Sequence, residues 1–155
     1  MPTLAAGTYS ALKAYIEALG LSIQVYKDAA PPETKDTTTG LLKKPYCTVI
    51  EGISLTSDSR EDGGAAQGGS SYVTELVQLD LWMNWRDSAG KSLESRTQGV
   101  TPSLADALYR KLDGCTLDLA PTRVYGCYVQ NKIRLVERDN NIVHVAYTLA
   151  VRRQA

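Results

Sequence analysis

YVTELVQLDLWMNWR, residues 72–86, is the stretch that decides the fold. Val73, Val77, Leu79, Leu81, Met83 and Trp85 fall on one face of an extended chain, and Thr74, Gln78, Asp80 and Asn84 fall on the other. Alternation sustained over so many residues is the period of a β-strand that packs one face into a core and turns the other away from it. Leu76 and Trp82 break the pattern by sitting on the polar side. There they either pack under a helix or loop, or meet a neighbouring subunit.

Reading towards the N-terminus, YCTVIEGISL (46–55) is a second strand, joined to the first by a Gly- and Ser-rich connection, TSDSREDGGAAQGGSS (56–71), with no large apolar side chain. AAPPETKDTTTGLLKKP (29–45) carries Pro31, Pro32, Gly40 and Pro45 and reads as a long excursion. SIQVYK (22–27) is a short alternating strand, and Leu4, Tyr9, Leu12, Ile16 and Leu19 recur at helical intervals up to a stop at Gly20. Towards the C-terminus, Thr101-Pro102 offers an N-cap followed by proline, and Leu104, Ala105, Leu108 and Leu112 form the stripe of a helix of about 12 residues ending at Gly114. TRVYGCYVQNKIRLVERD places Tyr125, Cys127, Val129, Ile133 and Leu135 on one side. NIVHVAYTLAVRR places Val143, Val145, Tyr147, Leu149 and Val151 on one side, and the Asp139-Asn140-Asn141 turn between them makes an antiparallel hairpin. The expected architecture is a single α+β domain over residues 1–155, a mostly antiparallel or mixed sheet with two helices on one face and long loops. Its other face must then meet solvent or another chain.

The 155 residues carry 17 basic and 17 acidic side chains, a balance that argues against a dedicated duplex-binding module. No apolar run approaches the length of a membrane span, and the opening MPTLAAGTYSALKAY lacks the pattern of a secretory signal, which predicts an unexported protein with no membrane partner. Cys47, Cys115 and Cys127 have no metal-type spacing and read as buried thiols, while His144 is the sole histidine, on the polar register of the last strand. Gly63-Gly64 and Gly68-Gly69 lack the Lys-Ser/Thr of a phosphate loop, and Asp58, Glu61 and Asp62 lack the alternating oxygen ligands of a calcium loop. Glu75 and Asp80 fall on opposite faces of their strand and do not pair as acid and base. These readings give no catalytic, cofactor or metal residues; a small hydrolase using Cys127 and His144 is the remote alternative.

PYCTVIEG (45–52), ELVQLDLWMNW (75–85), SLADALYRKLDG (103–114) and HVAYTLAVRR (144–153), in that order and with the two polar connections between them, resemble the tail terminator proteins of long-tailed, non-contractile bacteriophages. The resemblance implies a ring-forming structural protein, typically of six subunits, that caps the tail tube, ends its elongation and joins the tail to the head connector. Its implied partners are other copies of itself, the tail tube protein, the head-tail connector or stopper, and phage DNA passing through without specific binding. Its implied place is the virion's head-tail junction, after assembly in the host cytoplasm. In this reading residues 56–72 match the family's long hairpin loop and residues 29–44 a loop near the tube or channel. The candidate interface residues are Trp82, Asp58, Glu61, Asp62, Arg152 and Arg153. A domain of this length has a radius of gyration of about 15 Å, so six touching copies leave a hole wide enough for a duplex. A stopper or adaptor beneath the portal is the nearest alternative, and a tail tube protein a further one.

Overall fold

The computed structural model describes residues 7–58, 72–86, 103–120 and 122–154. Helix α1 (Thr8–Glu17) leads into strand β1 (Gln24–Lys27); β2 (Tyr46–Asp58) and β3 (Tyr72–Asn84) follow, then helix α2 (Leu104–Leu112), β4 (Val124–Glu137) and β5 (Ile142–Gln154). The strands form one sheet in the order β1-β2-β3-β5-β4, with β1 parallel to β2 and every other pair antiparallel. The fold is therefore α+β around a mixed sheet, with 72–84 as its central strand.

Its core lies on one side of the sheet. Val77, Leu79 and Leu81 of β3 and Val143, Val145, Tyr147, Leu149 and Val151 of β5 are fully buried against Leu12 and Ile16 of α1 and Leu108 and Leu112 of α2. Both helices thus cover the same face. Tyr147 brings a hydroxyl into this layer and donates it to the Ala105 carbonyl at 2.7 Å, so the phenol is satisfied as well as packed.

Helix α2 is shorter than its stripe predicts, and its cap is Ser103, whose side chain accepts from the Asp106 N–H at 3.2 Å. Thr101 and Pro102, the expected cap and first turn, lie outside the described residues. The 29–44 excursion is better tied than its composition suggests. Leu42 is buried, and the Asn84 side chain grips it twice, accepting from its N–H at 2.9 Å and donating to its carbonyl at 2.8 Å. The 56–71 connection is also shorter than expected, because β2 continues through Asp58.

Strand β4 departs from its expected side. Cys127 and Val129 pack towards the core, but the register slips between Val129 and Asn131. One extra residue in a strand reverses every later side chain. Ile133 and Leu135, expected beside Cys127, therefore face away from the helices and are 46% and 49% exposed, while Val136 packs against the core. A second slip between Val124 and Gly126 leaves Tyr125 exposed as well.

Leu108 has no exposed surface, and Leu108→Ala should lower the unfolding free energy by about 2–5 kcal/mol in a denaturant titration. An unchanged midpoint would mean that α2 does not cover the sheet.

Candidate functional site

The face of the sheet without helices is built by the register of four long strands. Tyr46 pairs with Trp82, Trp82 with His144, and His144 with Leu135, giving one row across β2, β3, β5 and β4. Thr48, Asp80, Ala146 and Ile133 form the next row, and Leu76, Ala150 and Tyr128 a further one. Apolar and aromatic groups therefore alternate with polar ones over a surface that no described helix covers.

The first row is an aromatic stack. The Trp82 indole lies over the His144 imidazole with centroids 4.0 Å apart and planes 9° apart, and it faces the Tyr46 ring at 6.4 Å. Tyr26 meets Tyr46 edge-on at 5.8 Å. Burial pushes the Tyr46 phenol above its usual range, and Tyr26 adds to the effect. Trp82 also donates its indole N–H to the Thr48 hydroxyl at 3.0 Å. Of the expectations for Trp82, cover by a helix fails, because both helices lie on the other face; among the described residues its neighbours are on adjacent strands, and it is partly exposed.

Beneath this stack sits a buried carboxylate. Asp80 is 4% exposed and accepts both contacts of the Gln78 amide at 2.9 Å. His144 Nε2 stands 2.9 Å from Asp80 Oδ1, close enough for an ion pair but out of line for a hydrogen bond, so this buried nitrogen has no hydrogen-bond partner. This is a polar seam inside an aromatic surface.

Glu75 marks the opposite face, as its odd spacing from Asp80 predicts. Its carboxylate is buried and accepts from the Thr8 hydroxyl at 2.6 Å and the Gly52 N–H at 3.2 Å, with Arg153 Nε at 3.5 Å. Gly52 reaches it from the irregular step in β2 between Ile50 and Ser54, with a φ of +65° that glycine adopts without strain. A cavity of about 190 Å³ lies beside these groups, lined also by Gly7, Glu51, Leu119 and Thr122. Arg153, a candidate interface residue, is thus engaged with a carboxylate on the helix side of the sheet. Arg152 lies on the helix-free side and is exposed. Asp58 closes β2, and Glu61 and Asp62 lie outside the described residues.

The Cys127–His144 pair does not form. Cys127 is buried on the helix side and His144 sits on the other. All three cysteines are free and buried. Burial pushes the Cys47 thiol up, and Cys127, hydrogen-bonded to Cys115 and buried, is raised too, so both stay protonated and unreactive. Among the described residues no cluster of three potential metal ligands exists, and no helix is long and apolar enough to cross a membrane.

The sequence pointed to Trp82 but missed Tyr46, Thr48 and His144 as its partners. Register was the missing signal, since the pairing of 46 with 82 and 82 with 144 sets the row.

No family model and no curated protein matches the sequence. Among solved structures, the chain is similar to one described as "Virion of native gene transfer agent (GTA) particle", with a TM-score of 0.62 and 14% identity over 96% of each chain. At that identity the likeness is one of fold, and it spans the whole architecture described above.

Trp82→Ser should cost about 1–2 kcal/mol, the worth of one aromatic stack and one hydrogen bond, when unfolding is followed by denaturant. A loss as large as that of Leu108→Ala would place Trp82 in the core rather than on a surface.

Proposed function

We propose that this chain is a structural protein of a phage-like virion, a ring-forming tail terminator that caps the tail tube, ends its growth and presents the finished tail to the head connector. The observation that carries the reading is the fold likeness, over nearly the full length of both chains, to a component of a gene transfer agent virion. The resemblance of 45–52, 75–85, 103–114 and 144–153 to tail terminators points to the same class from the sequence side.

Physical features agree with that role. A helix-free face bearing Trp82, Tyr46, Ile133, Leu135 and Tyr128 suits contact with other protein chains, because aromatic anchors with polar groups between them are what interface cores are made of. A net charge of zero suits a ring through which DNA passes without being held. In this reading the ring has six copies, Trp82 and Arg152 belong to its contacts, Asp58, Glu61 and Asp62 reach a neighbouring subunit or the tube, and Arg153 fixes the end of β5 from within.

The test is a mass measurement by size exclusion with light scattering, on the purified chain alone and after mixing with tail tubes that lack heads. The expected result is a species of six chain masses that binds tube ends and stops their extension. Binding to DNA-filled heads that lack tails, with none to tubes, would identify a stopper instead. Growth into open-ended tubes would identify a tube protein.

A further inference from the structure

Helix α2 ends in a turn that brings two thiols together. Gly114, at a φ of +79°, turns the chain after α2 and donates its N–H to the Cys127 carbonyl at 2.8 Å, and Asp113 accepts the Val129 N–H at 3.0 Å. The next residue, Cys115, enters the same core as Cys127, and the two side chains are hydrogen-bonded to each other. Tyr15 of α1 lies close to both.

The third thiol is out of reach. Cys47 aligns with Leu81, whereas Cys127 aligns through Val151 with Glu75, so residues 81 and 75 of β3 mark their separation along the sheet. At about 3.3 Å per residue that is roughly 20 Å, and a disulfide needs Cα atoms within about 7 Å. Any intrachain bond between native cysteines therefore joins 115 to 127.

The two partners differ in readiness. Cys115 is 7% exposed, next in sequence to Thr116, which with Tyr15 lines an open pocket of about 360 Å³; Cys127 is 2% exposed. The hydrogen bond from Cys127 holds the Cys115 thiol below its ordinary range, against burial and the nearby Asp113 carboxylate. Cys115 is the sulfur that reacts first, as a thiolate.

We propose that Cys115 and Cys127 are a redox-sensitive pair, which a small hydroperoxide converts into an intrachain disulfide tying the exit of α2 to β4. With hydrogen peroxide, the Cys115 thiolate attacks one oxygen; an S–O bond forms, the O–O bond breaks, and the hydroxide that leaves takes up the proton Cys115 gave to solvent. The Cys127 sulfur then attacks the resulting sulfenic acid. An S–S bond forms, the S–O bond breaks, and the departing hydroxide carries off the Cys127 proton as water. Two thiols lose two electrons and one peroxide becomes two waters. Cys127, inert on its own, is released for this step because the hydrogen bond that raised it ends when Cys115 is oxidised. The timing rests on the virion reading above: the chain folds as a dithiol in a reducing cytoplasm and meets the oxidant in the released particle. The chemistry does not rest on it.

Hydrogen peroxide is the probe, applied to purified full-length protein and removed with catalase. Remaining thiols are alkylated in denaturant and the chain is read by mass spectrometry. The expected product carries one alkylated cysteine, Cys47, in place of three, with a proteolytic cross-link joining 115 to 127, and dithiothreitol restores all three. Its denaturant midpoint should lie above that of the reduced chain, because the closed loop restricts the unfolded state. Cys127→Ser should stop at a Cys115 sulfenic acid that dimedone captures, whereas Cys47→Ser should still form the disulfide. Three free thiols after peroxide, sulfinic or sulfonic acid in place of the cross-link, or a disulfide that uses Cys47 would overturn the pair and leave the virion reading untouched. A 115–127 disulfide in a chain that neither assembles nor binds tubes would uphold the pair and overturn only its timing.

Discussion

The apolar row of β3 needs cover on one side, and α1 and α2 supply it on that side only. Everything else in the molecule follows from this one-sidedness. Because both helices pack against the residues led by Val77, Leu79 and Leu81, no described helix covers the row led by Trp82, Asp80 and Leu76; among the described residues its neighbours are other strands and, at Asn84, Leu42 of the 29–44 excursion. Its largest side chain stacks on His144 and Tyr46 instead of sinking under a helix, and its carboxylate is sealed by a glutamine and an imidazole. A small domain gains the bulk of its hydrophobic stabilisation from one core. The second face is then available for contact with something else.

How far this was legible in the sequence depends on the range of the determining interaction. Period-two alternation is local, so the buried sets of β3 and β5 could be read directly from 73–83 and 143–151. The helical stripe ending at Leu112 was equally plain, although its cap was misplaced because Ser103 and Thr101 are both good caps two residues apart. The slip at 129–131 was illegible: QNK carries no glycine or proline to announce an extra residue, yet it moved Ile133 and Leu135 to the opposite face. Contacts between distant positions were hidden for a different reason. Thr8 with Glu75 and Asn84 with Leu42 depend on how elements dock, and no local pattern encodes docking.

The same distinction governs the surface. Trp82 stood out because a large aromatic interrupted a polar register, but the row it belongs to required the pairing of four strands. The closing of β1 by Lys13 and Glu17 required it too. In sequence those two residues are only the polar side of an amphipathic helix; in the fold their charges occupy the backbone groups of an edge strand. Glu17 would be raised by burial, but hydrogen bonds from Lys13 and the Val25 N–H bring it below its usual range, while the Glu17 hydrogen bond raises Lys13. The pair's contribution is therefore present around neutral pH, lost in acid as Glu17 takes a proton and lost in alkali as Lys13 gives one up.

Hydroxyl-radical footprinting followed by mass spectrometry, on the monomer and on its assembled form, tests the central claim that the helix-free side is the assembly surface. Tyr46, Trp82 and Tyr128 on that side are open or partly open to solvent in the single chain, so a partner arriving there must shield them. The account predicts that assembly lowers labelling of these three side chains and leaves Tyr15 of α1 and Tyr109 of α2 unchanged. Shielding confined to Tyr15 and Tyr109, with Tyr46, Trp82 and Tyr128 labelled as in the monomer, would contradict it.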